Sequence, residues 1–81
     1  MRTLTLIGKA GCHLCDEARS SVVQVLEDFD DVILVERSID DDAGLYAEYW
    51  EQIPVVLIDG KVHNFWHIDP TRLRTKLTEE Q

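Results

Sequence analysis

The chain has 81 residues and a formal net charge of −8, from 16 acidic and 8 basic side chains. That length leaves room for one domain, residues 1–81, which buries only somewhat over ~60% of its unfolded surface in one modest core. The acidity argues against nucleic acid, whose phosphates nothing here could neutralise, and against an anionic membrane surface. No run approaches the ~20 apolar residues of a bilayer span.

Thr3 to Ile7 alternates toward an apolar end and reads as a strand that stops at Gly8. After the short loop Lys9-Ala10-Gly11, a helical pattern runs from about His13 to Asp28. Cys15, Ala18, Val22, Val25, Leu26 and Phe29 recur at three- and four-residue steps and form one apolar stripe. Asp16 and Glu17 fall in the first turn, where carboxylates complement the helix dipole. Val32-Ile33-Leu34-Val35 is a continuous apolar run, which predicts a strand covered on both faces, as in a parallel pairing. Asp40-Asp41-Asp42 is a loop leading into a short helix through about Glu51, with Leu45, Tyr46, Tyr49 and Trp50 on neighbouring faces.

Pro54–Ile58 and Val62–Trp66 are apolar runs flanking Asp59-Gly60, a strong hairpin signal. Asp69 then caps a last helix with Pro70 at its first position, and Leu73 and Leu77 make its buried side. The order is βαβ, α, a ββ hairpin and α. A helix joining the first two strands implies a parallel pair in a right-handed crossover, and the hairpin adds antiparallel strands. The expected fold is α/β: a mixed four-stranded sheet with helices on both faces.

The chain's two cysteines, Cys12 and Cys15, lie in "IGKAGCHLCDEAR" at the predicted junction of the first strand and first helix. The N-terminus lacks the continuous apolar run of a signal peptide, so a cytoplasmic location is expected. In such a compartment a close cysteine pair is more often redox-active or metal-binding than a permanent bridge. A bridge over two residues also closes too small a loop to remove much unfolded-state entropy. Backbone N–H groups at the helix start favour a thiolate at Cys12, the form that attacks disulfides. Cys15, one turn on, would resolve the resulting mixed disulfide. His13 and Lys9 are positive or potentially positive neighbours that lower the Cys12 pKa moderately, with Asp16 and Glu17 opposing them.

These residues resemble a glutaredoxin-like member of the thioredoxin superfamily over nearly the whole chain. The similarity is greatest to a small group whose site reads "GCHLCDEA". "KAGCHLC" matches the glutaredoxin pattern of lysine, two residues, then C-x-x-C, and "QIPVV" matches the segment bearing the superfamily's cis-proline. The resemblance implies a thioredoxin-like fold of order β-α-β-α-β-β-α and a cis Ile53–Pro54 bond lying against the cysteines. It also implies that the Ile53 backbone pairs with an incoming thiol-containing chain like an added strand. Phe65 and Trp66 stand where glutaredoxins carry a glycine pair that helps to hold glutathione. Bulky aromatics there obstruct the close approach glycine permits, and glutathione as the thiol partner is doubtful.

The expected function is thiol–disulfide exchange with a protein or low-molecular-weight disulfide, reset by a reductase or a small thiol. The protein is expected to be a monomer with no bound cofactor. A non-catalytic binding module using the Ile53–Pro54 edge is one alternative. A zinc site built from Cys12, Cys15, His63 and His67 is another, weakened by the long interval between cysteines and histidines. Residues four apart on a strand stand roughly 13 Å apart, so the two histidines could share an ion only if the strand ended before His67. They are more simply partly exposed strand-end residues. Asp40–Asp42 lacks the spacing of a calcium loop, and Trp50 and Trp66 are expected to serve as core or rim packing.

Overall fold

The computed structural model describes residues 1–79. In chain order its elements are β1 (Arg2–Gly8), α1 (His13–Leu26), β2 (Val32–Ser38), α2 (Ala43–Tyr49), β3 (Val55–Ile58), β4 (Lys61–Phe65) and α3 (Pro70–Glu79). The sheet order is β2-β1-β3-β4. β1 runs parallel to β2 and antiparallel to β3, and β3 runs antiparallel to β4. Among the described residues, no helix is long and apolar enough to cross a membrane.

The local signals form the elements through ordinary capping and turn chemistry. Asp42 Oδ1 accepts from the Gly44 and Leu45 N–H groups at 2.8 and 3.1 Å, and Asp69 Oδ1 accepts from Thr71 at 2.9 Å. These contacts satisfy N–H groups that have no partner inside a first helical turn. Asp59 and Gly60 have φ of 49° and 84°, the left-handed pair that a two-residue hairpin requires. Asp59 also ties the hairpin to β1, its N–H donating to Thr3 O at 2.8 Å while its Oδ1 accepts from Thr3 N at 2.9 Å.

The sheet divides the core. On one face Leu4, Leu6, Val56 and Ile58 pack against Ala18, Val22, Val25 and Phe29 at α1 and Leu73 and Leu77 of α3. On the other, Ile7, Val55 and Leu57 meet Ile39, with Leu45 and Tyr49 of α2 partly buried against them.

One expectation is corrected. β2 is an edge strand and is not covered on both faces: Val32 and Leu34 join the larger core, whereas Ile33 and Val35 stay 46% and 37% exposed. The seven-residue α2 packs over Ile7, Val55 and Leu57 and leaves this outer strand uncovered. Of the core or rim positions expected for Trp50 and Trp66, both take the rim, being 52% and 55% exposed. The Trp50 ring stacks on Tyr46, with centroids 6.3 Å apart.

Candidate active site at the end of the first strand

β1 carries the chain to the edge of the sheet, where residues 9–11 turn it into α1. Gly11 sits at φ +74° with nothing near the place of a Cβ, so this turn asks for glycine by conformation and not for lack of space. Cys12 follows in an extended conformation as the N-cap of α1. Its carbonyl accepts from Asp16 N at 3.1 Å, and its Sγ accepts from Cys15 N at 3.2 Å. The sulfur therefore occupies the place of a capping oxygen, aimed at helix-start N–H groups whose partial positive charge favours a thiolate.

Cys15 lies one turn further along the apolar stripe and is buried, whereas Cys12 is only half-buried. The two are joined in a disulfide, with their Cα atoms 5.2 Å apart. Beneath them Gly8 ends β1. A Cβ on Gly8 would lie 2.9 Å from Cys15 Sγ and 3.1 Å from Cys15 Cβ, closer than packed carbon and sulfur tolerate. Gly8 thus makes room for the buried cysteine, a role that its reading as a strand stop did not disclose.

The other half of the site arrives from β3. Ile7 pairs with Val55, which sets Ile53 and Pro54 beside Gly8 at the same edge. The Ile53–Pro54 peptide is cis, and Pro54 is fully buried. Trp66 clamps this segment: its backbone N–H donates to Pro54 O at 2.8 Å and Gln52 O at 3.2 Å, and its indole Nε1–H donates to Glu51 O at 2.6 Å. Among the described residues, no hydrogen bond engages the Ile53 backbone between them.

Trp66 adopts φ +64°, an uncommon conformation for a bulky residue that persists only where its surroundings impose it. Its ring meets Phe65 edge-on at 5.2 Å. It also lines a hollow of about 160 Å³ with Leu14, the second residue between the cysteines, and Pro70. An aromatic wall therefore stands beside the dithiol loop. No local sequence signal marks a tryptophan for that backbone conformation.

The remaining candidates are placed less uniformly. Lys9 is exposed and lines a cleft of about 260 Å³ that reaches Cys15 and also borders Asp16 and Arg19. The His13 side chain is 88% exposed, and its Nε2 lies 3.6 Å from Glu17 Oε1, so any positive charge there is shared with a carboxylate. His63 is half-buried within β4, and His67 lies beyond the strand and is exposed. Among the described residues, no three His, Cys, Asp or Glu side chains are grouped to hold a metal ion.

Comparison with known proteins agrees with this architecture. An uncharacterised protein of Mycobacterium tuberculosis is 29% identical over 76 residues, which span 89% of this chain and 78% of that protein. The X-ray structure of a structural-genomics target from X. campestris is 33% identical, with a TM-score of 0.71 over 94% of this chain and 96% of that one. Mitochondrial thioredoxin 3 of Saccharomyces cerevisiae, in its oxidised form, superposes with a TM-score of 0.72 at 17% identity, covering 96% of this chain and 77% of the thioredoxin. The fold is thioredoxin-like. The family model described as "Glutaredoxin-like domain (DUF836)" matches residues 3–78, and the chain belongs to that family. Fold and paired cysteines together support a redox role.

Proposed function

We propose that this glutaredoxin-like protein is a thiol–disulfide oxidoreductase acting on protein disulfides. The observation that carries the reading is the division of labour at the start of α1. Cys12 is accessible and capped by a helix N–H, while Cys15 is buried one turn behind it and bonded to it.

In the reductive direction the Cys12 thiolate attacks one sulfur of a substrate disulfide. A Cys12–substrate disulfide forms, and the other substrate sulfur leaves as a thiolate that takes a proton from solvent. Cys15, losing its proton, then attacks Cys12 Sγ and displaces the second substrate thiolate. Two electrons pass to the substrate, and the enzyme is left with the Cys12–Cys15 disulfide. A reductase or small thiol restores the dithiol by the reverse exchange.

The unengaged Ile53 backbone supports docking of the substrate as an added strand, since exposed strand-like backbone recruits extended chains through main-chain hydrogen bonds. The Trp66 wall beside Leu14 favours a polypeptide with an apolar residue near its disulfide over glutathione. Lys9 contributes charge at the mouth of the site, where it attracts an anionic thiolate or carboxylate. The same fold lacking the exchange chemistry would serve as a binding module, and the tests below separate the two.

Equilibration in redox buffers, followed by alkylation and mass measurement, should give one two-electron transition between about −270 and −120 mV. Cys12→Ser should reduce turnover to background. Cys15→Ser should retain the first step and accumulate a mixed disulfide with a protein substrate. A pair that stays reduced under strong oxidant, or a Cys12→Ser variant with undiminished turnover, would refute the proposal.

A further inference from the structure

A separate groove lies away from the cysteines. It has a volume of about 450 Å³ and runs between β4 and α3, within the range of ~300–1,000 Å³ typical of small-molecule sites. Register places its β-hairpin end opposite the dithiol: Lys61 pairs with Ile58 and Ile58 with Leu4, whereas Val55 pairs with Ile7 next to Gly8. Nothing in the thiol chemistry calls for it.

Its lining is anomalous for so acidic a chain. Lys61 and His63 come from β4, and Arg72 and Lys76 come from one stripe of α3, so three of the eight lysines and arginines converge with a histidine. Four of the others, Arg2, Arg19, Arg37 and Arg74, are paired with Asp31, Glu36, Asp42 and Asp28. Among the described residues, Lys61 and Arg72 make no ion pair or side-chain hydrogen bond. Among the described residues, Glu79 is the one carboxylate bordering the groove. An anion seated between Lys61 and Arg72 would offset their mutual repulsion.

The backbone is shaped to the same end. Between β3 and β4 the register slips: Val56 pairs with Asn64 and Leu57 with Val62, leaving His63 as an extra residue. A bulge of this kind re-aims a side chain that regular alternation would send elsewhere. Here Lys61, Val62 and His63, three consecutive residues, all line the groove. Ile58 and Val62 supply an apolar floor.

We propose that the β4–α3 groove binds a small organic phosphate, with its anionic head among Lys61, His63, Arg72 and Lys76 and its apolar body over Ile58 and Val62. An arginine fork suits a phosphate bidentately, and the lysines add point charge. The ligand class follows from two charges matched to several cations and an apolar part matched to the floor.

The test is a titration of the intact oxidised protein with phenyl phosphate, followed by backbone amide NMR shifts. Parallel titrations use benzoate and inorganic phosphate. Phenyl phosphate should give saturable shifts at residues 61–63 and 72–76 and should bind several-fold tighter than either comparator. The exposed double variant Lys61→Gln/Arg72→Gln should weaken binding at least about tenfold, ~1.4 kcal/mol. Arg74→Gln, which alters the neighbouring Asp28 pair, should leave it unchanged. No saturation by ~20 mM, shifts centred on Lys9 and Arg19 instead, or undiminished binding in the double variant would overturn the site. Equal affinity for inorganic phosphate or benzoate would overturn the organic-phosphate assignment.

Discussion

Among the described residues, the sheet shares a core of eleven buried residues under α1 and α3, whereas on the α2 side the corresponding cluster has four and α2 itself contributes no fully buried residue. The two halves of the candidate site rest on these unequal supports. The dithiol is carried by α1, whose stripe is anchored in the larger core. Ile53, the backbone that would receive a substrate, packs with Leu45 and Tyr49 against the smaller one. Regions with few buried contacts open locally at the lowest free energy. On this ground the cysteines should be held more rigidly than the α2 side on which Ile53 packs.

Deletions in the two cores should expose this asymmetry most strongly. Leu73 is fully buried beneath α3, and Leu73→Ala should cost ~2–5 kcal/mol through lost burial and the cavity left behind. Leu45, only half-buried on α2, should cost about 1 kcal/mol when cut to alanine, since less apolar area is lost. Urea unfolding of both variants measures the difference. Equal losses would mean that the smaller core is as tightly packed as the larger.

Gly8→Ala probes the contact under the dithiol. The added methyl would overlap Cys15 Sγ and Cβ, and overpacking of this kind typically costs ~1–3 kcal/mol. Because the displaced group is the sulfur proposed to resolve the mixed disulfide, closure of the Cys12–Cys15 bridge should also slow. Gly11→Ala, strained by its φ but facing open space, should lose stability without slowing closure once folded. Stopped-flow release of substrate thiol separates the two, and identical closure rates would remove Gly8 as a positioning residue.

What the sequence disclosed follows the same partition. The helical stripe from Cys15 to Phe29, the Asp59-Gly60 hairpin and the caps at Asp42 and Asp69 are local patterns, set by residues within a turn of each other. The site's thiol half was legible for that reason: a cysteine pair between a strand and a helix is contiguous in the chain. The β2 run was misread because four apolar residues fit a central strand or a half-covered edge equally well, and only the sheet order decides between them. The cis Ile53–Pro54 bond was reachable only through family resemblance. The Gly8–Cys15 contact and the left-handed Trp66 depend on parts of the chain that meet only after folding.

A smaller effect is expected at the cap of α2. Asp42 satisfies two N–H groups of a helix only seven residues long. Asp42→Ala should cost ~0.5–2 kcal/mol by capping precedent, and toward the lower end here, because so little buried area depends on α2. Hydrogen exchange should show α2 amides opening faster while those of α1 hold. Equal acceleration in both helices would mean that the two faces unfold as one unit and that the receiving half has no looseness of its own.

Trp66→Gly should change stability least and recognition most. Glycine relieves a left-handed conformation that costs an ordinary residue roughly 1–2 kcal/mol. The loss of the indole hydrogen bond to Glu51 O forfeits about 1 kcal/mol, so the net change should be near zero. The backbone bonds from residue 66 to Gln52 and Pro54 need no side chain and should survive. With the wall beside Leu14 gone, turnover of oxidised glutathione should rise relative to that of an unfolded protein disulfide. A shift of about tenfold in the ratio corresponds to ~1.4 kcal/mol of discrimination. If stability holds and the ratio does not move, Trp66 is a backbone clamp alone, and selection of the substrate lies with Ile53 and the α2 side of the site.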